Sequence, residues 1–238
     1  MIINQLDNSC RILVVDDDKE IANLLRVALE QEEYQVDIAN DGISALEQIN
    51  RIAYDLAILD VMMPKMNGYM LCSKIREKFY FPILMVTAKG TDMDKITGLM
   101  MGADDYILKP FNPMEVVMRV KAQLRRQHLY NNAKEKETKV TEYEIGKLYI
   151  CQNSRSCVLD GEKLELTPTE FDILWYLCEK SGSVVTSEEL FEHVWGEKYL
   201  ENNNTVMAHI TRIREKMHEI PRKPYYIKTV WGVGYKID

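Results

Sequence analysis

Five short apolar runs, RILVVD, YQVDIA, DLAILD, FPILMVT and DYILKPF, alternate between residues 11 and 126 with segments of helical period, KEIANLLRVALEQ, GISALEQI, GYMLCSKIREKF, DKITGLMMG and MEVVMRVKAQLRR. This alternation constrains the fold, because neighbouring parallel strands can be joined only by a long crossover and a helix is the usual one. The expectation is an α/β doubly wound domain of (βα)5 type. In such sheets ligands lie outside the carboxyl ends of the strands. Here those ends carry functional groups: Asp16 and Asp17 after the first run, Asp60 after the third, Thr87 after the fourth and Lys109 after the fifth.

Three carboxylates converging on one pocket would raise one another's pKa unless a cation neutralises them, and hard oxygen ligands favour Mg²⁺ with a phosphoryl oxygen as partner. The chemistry this suggests is attack of a carboxylate on phosphorus to give an aspartyl phosphate. Asp60 is the candidate nucleophile, Asp17 with Asp16 the metal holders, and the Thr87 hydroxyl and Lys109 ammonium the groups that offset charge on the phosphoryl oxygens. Taken singly, an acid after a strand is more often a helix cap, the role expected of Asp18. The combination points to chemistry. The bond ahead of Pro110 is of the type that can be cis, which would fix the aim of Lys109.

At 238 residues, 46% of them hydrophobic, the chain is long for one ordinary domain. The polar, charge-mixed stretch 127–142 reads as a linker between a domain at 1–126 and a second at 143–238. The second half starts with short strand-like pieces, continues with three helical segments and ends in the hairpin YIKTVWGVGYKI, an α+β pattern. Thr167, Pro168 and Glu170 announce one helix with a capping box, and Thr186 and Glu189 repeat the box before the next. In NTVMAHITRIREKM, the residues Val206, Ile210, Ile213 and Met217 form an apolar stripe, which is expected to leave Thr205, Ala208, His209, Arg212 and Lys216 outward.

The net charge of −7 would argue against a nucleic-acid partner, but it is segregated. Residues 142–202 hold 5 basic and 13 acidic residues, and 203–236 hold 7 basic and 2 acidic. A basic helix beside a basic hairpin suits the major groove and the phosphates around it. No apolar run is long enough to cross a bilayer and the start has no secretory pattern, so a cytoplasmic protein is expected. Five scattered cysteines without metal spacing read as reduced thiols.

The motifs ILVVDDD, DLAILDVMMPKMNG, MVTAK and GADDYILKPF resemble the receiver domain of two-component response regulators. LTPTEFDILWYLCEKSGSVVTSEELFEHVWG, NNTVMAHITRIREKM and YIKTVWGVGYKI resemble the winged helix-turn-helix effector domain of the OmpR/PhoB family. Trp231, KITGLMMGADDYI and VKAQLRR are similar to the VanR-type regulators of glycopeptide-resistance operons. The resemblance implies a transcription regulator phosphorylated on Asp60 by a sensor histidine kinase, with Mg²⁺ bound by Asp16, Asp17, Asp60 and the backbone carbonyl of Met62. It implies no enzymatic activity beyond its own phosphorylation and dephosphorylation, and a switch made by Thr87 and Tyr106. It further implies a phosphorylated homodimer pairing Lys95 with Glu115, Asp105 with Arg119 and Asp104 with Arg126, and partnership with RNA polymerase at promoter DNA. The DNA contacts it implies come from Asn204, Thr205, Ala208, His209, Arg212, Arg214, Lys216, Lys228, Trp231 and Lys236. Trp231 stands where many members carry arginine, so the wing is expected to grip phosphates through Lys228 and Lys236 rather than enter the minor groove. Two other readings are an aspartyl-phosphate enzyme of another doubly wound family, whose nucleophile would lie in a D-x-D motif after the first strand, whereas VVDDDKEI leads into a helix without the expected loop and Asp60 is followed by VMMP, and a receiver acting only by protein contact, which would leave the basic helix unexplained.

Overall fold

Each run of alternating or continuous apolar residues becomes a strand in the computed structural model, which describes residues 10–88, 97–129, 141–196, 205–220 and 223–238, without the side chains of 126–129. The N-terminal unit, residues 1–125, contains β1 (Arg11–Val15), α1 (Lys19–Glu30), β2 (Gln35–Ala39), α2 (Gly42–Ile49), β3 (Leu56–Asp60), α3 (Gly68–Arg76) and β4 (Ile83–Thr87). After β4 come a helical segment α4, described over 97–100, then β5 (Asp105–Leu108) and α5 (Pro113–Leu129). The strands form one parallel sheet in the order β2-β1-β3-β4-β5.

The period of two divides the core. Leu13, Val15, Ala57 and Leu59 face Ala45, Ile49, Leu71 and Ile75 of α2 and α3. Ile12, Val14, Leu56 and Ile58 face Leu25, Leu29, Val116 and Val120 of α1 and α5. β3 and β4 are buried at every residue, as parallel strands covered on both faces must be. Asp18 caps α1 by accepting from Glu20 N and Ile21 N, as expected of it.

The second unit, 126–238, starts with an antiparallel sheet in the order β6-β7-β8-β9: β6 (Glu142–Ile145), β7 (Leu148–Cys151), β8 (Ser156–Leu159) and β9 (Glu162–Lys163). Helices α6 (Pro168–Glu179), α7 (Ser187–Trp195) and α8 (Thr205–Lys216) follow, and β10 (Val185–Thr186) joins the hairpin of β11 (Ile227–Val230) and β12 (Gly234–Ile237) in the order β10-β12-β11. Gly234 is required where β12 meets β10, since a Cβ there would overlap the carbonyl oxygen of Val185. Phe171, Leu174, Leu190, Val194, Val206, Ile210, Ile213 and Ile227 form the core.

Three expectations are corrected here. The stretch read as linker at 127–142 is structured at both ends, with α5 running to Leu129 and β6 starting at Glu142, because helical pattern and strand pairing outlast the change in composition. The box at Thr186 is half formed: Thr186 accepts from Glu189 N, but the Glu189 carboxylate takes the Tyr176 hydroxyl, at 2.8 Å. Arg212, Ala208 and His209 do not face outward. All three are buried, Arg212 because it pairs with the buried Glu170, and Ala208 and His209 because α8 packs against both α6 and α7.

Candidate functional site

Hydrogen-bonded neighbours in the sheet bring the ends of β1, β3, β4 and β5 to one edge, where Lys109 N donates to Thr87 O at 2.7 Å. The Lys109–Pro110 bond is cis. The Lys109 ammonium lies 2.9 Å from Asp16 Oδ2 and 2.8 Å from Asp60 Oδ1. The remaining oxygens accept backbone donors, Asp16 Oδ1 from Asp18 N at 2.9 Å and Asp60 Oδ2 from Met62 N at 2.7 Å. Asp16, Asp60 and Thr87 are buried, and Asp17 is exposed at the mouth.

The electrostatics follow from one ammonium shared between two buried carboxylates. Burial pushes the Asp16 carboxyl above its ordinary value, and the bond from Lys109 only partly opposes this. Burial would lower the Lys109 pKa, but with bonds to both Asp16 and Asp60 it ends raised. The lysine has two partners and each acid has half a lysine, which is why the two shifts are not mirror images. One carboxylate oxygen from each of Asp16, Asp17 and Asp60 lies within 4.8 Å of the others. A donor set made of oxygen and short of positive charge fits a hard divalent cation.

Gly68 supports this edge. Its N donates to Val61 O at 3.1 Å, and a Cβ would overlap the Asp60 carbonyl oxygen, so only glycine lets α3 start against the turn that carries Asp60. Tyr106 is half-buried against the cluster beneath α3 that also holds Tyr69.

In the second unit, Glu170 organises the helix that carries the basic residues. Its Oε2 accepts from Thr167 N at 2.7 Å and from Lys216 Nζ at 2.6 Å, and its Oε1 pairs with Arg212 at 2.7 Å. Burial would raise this carboxyl, but the Arg212 and Lys216 charges reverse the effect and hold it below its ordinary value. Arg214 donates to Ile227 O and to Thr229 Oγ1, the latter at 2.8 Å, which ties α8 to β11. Lys228 and Lys236 share Asp238, at 2.7 and 2.5 Å. Trp231 is 90% exposed beside Gly232, whose φ is +73°.

Comparison with known proteins fits both halves. Residues 12–121 match the response regulator receiver domain, and residues 161–237 match the C-terminal domain of transcriptional regulatory proteins. The chain belongs to the OmpR/PhoB family of response regulators. It is 58% identical over 228 residues to the regulatory protein VanRc of Enterococcus gallinarum, covering 96% of this chain and 98% of that one. It is 50% identical over 231 residues to the regulatory protein VanR of Enterococcus faecium, covering 97% and 99%. Among solved structures, the response regulator DrrB, a Thermotoga maritima OmpR/PhoB homologue, matches with a TM-score of 0.51 at 35% identity, over 96% of this chain and 99% of that one.

The remaining expected residues of this response regulator fall into four groups. Lys95 and Asn204 lie outside the described residues, as does the side chain of Arg126. Asp105 and Glu115 both meet Arg119 within the chain, at 2.9 and 3.2 Å. Asp104, expected on a surface facing Arg126, is instead buried with its Oδ2 on Arg76 at 2.7 Å and on Ile83 N at 2.9 Å. Arg76 also donates to the carbonyls of Gly102, Phe79 and Phe81, so the guanidinium needs that carboxylate inside. On α8, Thr205 is half-buried, and the outward positions are Met207, Glu215 and, partly, Thr211. Sequence reasoning missed Glu170 as an ion partner, and the signal was present: a capping-box glutamate before an apolar helix, with two surplus cations on a later helix.

Proposed function

We propose that a sensor histidine kinase phosphorylates this protein on Asp60, and that the phosphorylated form pairs with a second copy, binds promoter DNA and engages RNA polymerase. The observation that carries the first step is the Asp60 carboxylate held 2.8 Å from Lys109 at the shared edge of the sheet, beside Thr87. An Asp60 oxygen attacks phosphorus, the phosphorus–nitrogen bond of the kinase phosphohistidine breaks, and the electron pair returns to the imidazole. Lys109 and the Thr87 hydroxyl face charge on the phosphoryl oxygens. Asp16, Asp17, Asp60 and the Met62 carbonyl would hold Mg²⁺, which supplies charge neutralisation in such transfers. Thr87 and Tyr106 then form the switch, and Lys95, Glu115, Asp105 and Arg119 the dimer face.

The likeness to VanRc and VanR supports control of glycopeptide-resistance genes, in the cytoplasm. No helix among the described residues is long and apolar enough to cross a membrane. Incubation with a small phosphodonor and MgCl₂ should add one phosphoryl group, read by intact mass. Asp60→Asn and chelation should each abolish it, and full labelling of Asp60→Asn would overturn the assignment.

A further inference from the structure

We infer that α8 reads its DNA site through thymine methyl groups and a cytosine amino group, and not through arginine on guanine. The inference rests on the DNA-binding reading above and specifies what that helix recognises.

The cations of α8 are already committed. Arg212 and Lys216 hold the buried Glu170 from two sides, at 2.7 and 2.6 Å, and withdrawing Arg212 to reach a base would leave a buried carboxylate short of charge. Arg214 is anchored on Ile227 O and Thr229 Oγ1 of the neighbouring strand. What the helix turns outward is a row at i, i+4 and i+8: Met207, 44% exposed, then Thr211, then Glu215. At about 1.5 Å per residue the row is roughly 12 Å long, the span of about three to four base pairs.

The chemistry of that row is specific. Met207 presents a thioether and a terminal methyl. The Thr211 hydroxyl donates to Met207 O at 2.9 Å, so its proton is used inside the helix and the side chain turns outward as a methyl and an acceptor oxygen. On the major-groove edge of DNA the thymine C5-methyl is the apolar group such side chains can meet. Glu215 would be repelled by phosphates, but a carboxylate accepts from cytosine N4.

The experiment uses the full-length protein treated with phosphodonor and MgCl₂. It selects duplexes from a random library, and the selected duplex is then titrated with thymine or uracil at each half-site position. Uracil should weaken binding by roughly fourfold for each methyl contacted, the worth of one buried methyl group. Thr211→Ser, which loses only the methyl, should weaken the thymine duplex to the same degree and no longer respond to uracil at its position. Thr211→Val should bind as the parent does. Glu215→Gln should lose the preference for cytosine at one position. A selected site whose affinity is indifferent to uracil, or a Thr211→Ser protein that keeps full uracil sensitivity, overturns the inference and leaves DNA binding intact. Failure to enrich any duplex overturns the DNA-binding reading itself. Melting curves of each variant separate loss of contact from loss of fold.

Discussion

Burial holds the Asp16 carboxyl of the receiver pocket above its ordinary 3.8, and the bond from Lys109 only partly opposes this. A carboxyl with a raised pKa binds its proton more tightly in the folded chain than in the unfolded one. Ionised at neutral pH it therefore subtracts from stability, which rises as pH falls through the raised value toward 3.8. Asp16→Asn should melt at a higher temperature than the parent at neutral pH without divalent ions, and should lose the upward shift that MgCl₂ gives the parent. Thermal melts with and without MgCl₂ at several pH values check both, and a lower melting point for Asp16→Asn would contradict the sign. Gly68→Ala should cost about 1 to 3 kcal/mol in urea unfolding and slow phosphoryl labelling, because the added Cβ meets backbone at Asp60 rather than a movable side chain. At this scale the pocket was legible in the sequence. Asp16, Asp60, Thr87 and Lys109 are polar groups ending apolar strands, a placement with few bland explanations in combination. Gly68 was visible as a residue, but its close approach to Asp60 was not, since it depends on where α3 is set against β3.

The faces of α8 were legible only in part. The stripe Val206, Ile210, Ile213 and Met217 is inward as its period demands, yet Ala208, His209 and Arg212 are inward too. Helical period locates the centre of a buried arc and not its width, and a helix packed against two others is buried over more than one stripe. A charged residue on the second stripe looks solvated until its buried partner is known. Arg212→Ala should accordingly act on the fold, at about 1 to 3 kcal/mol, because it leaves the buried Glu170 short of one of its two cations. Replacing both partners by Glu170→Leu with Arg212→Met should recover most of that loss. The depressed pKa of Glu170 sets the pH dependence: its stabilisation is present above 4.5 and lost as pH falls through and below that value. In Glu170→Leu/Arg212→Met this acid-side loss should flatten, which chemical denaturation at pH 7 and pH 4 would measure. An Arg212→Ala protein as stable as the parent would show that Glu170 does not need Arg212 as its partner.

At the scale of the whole molecule the two units were legible from the switch in pattern between parallel and antiparallel periods, while their exact limits were not, because α5 and β6 reach into the polar stretch from either side. A surface that pairs two chains is harder to read still, since the same charges satisfy one another within a chain. Arg119 lies 2.9 Å from Asp105 of its own chain, so substitution of either residue alone disturbs an internal pair and any cross-dimer pair together. Two complementary reversals separate these. In Asp105→Arg, positions 105 and 119 are both arginine; in Arg119→Asp, both are aspartate. Under a two-fold axis each protein alone sets like charges against like at both symmetric contacts, and phosphorylated samples of either should dimerise weakly. Mixed, they form a heterodimer in which arginine meets aspartate at both contacts, although each chain keeps its internal repulsion. At about 0.5 to 1 kcal/mol for each restored pair, the mixture should associate roughly five- to thirtyfold more tightly than either component. Sedimentation velocity of the phosphorylated proteins, alone and mixed, reads this directly. If mixing restores nothing while the double reversal within one chain does, the Asp105–Arg119 pair belongs to the monomer and the dimer is held by other residues.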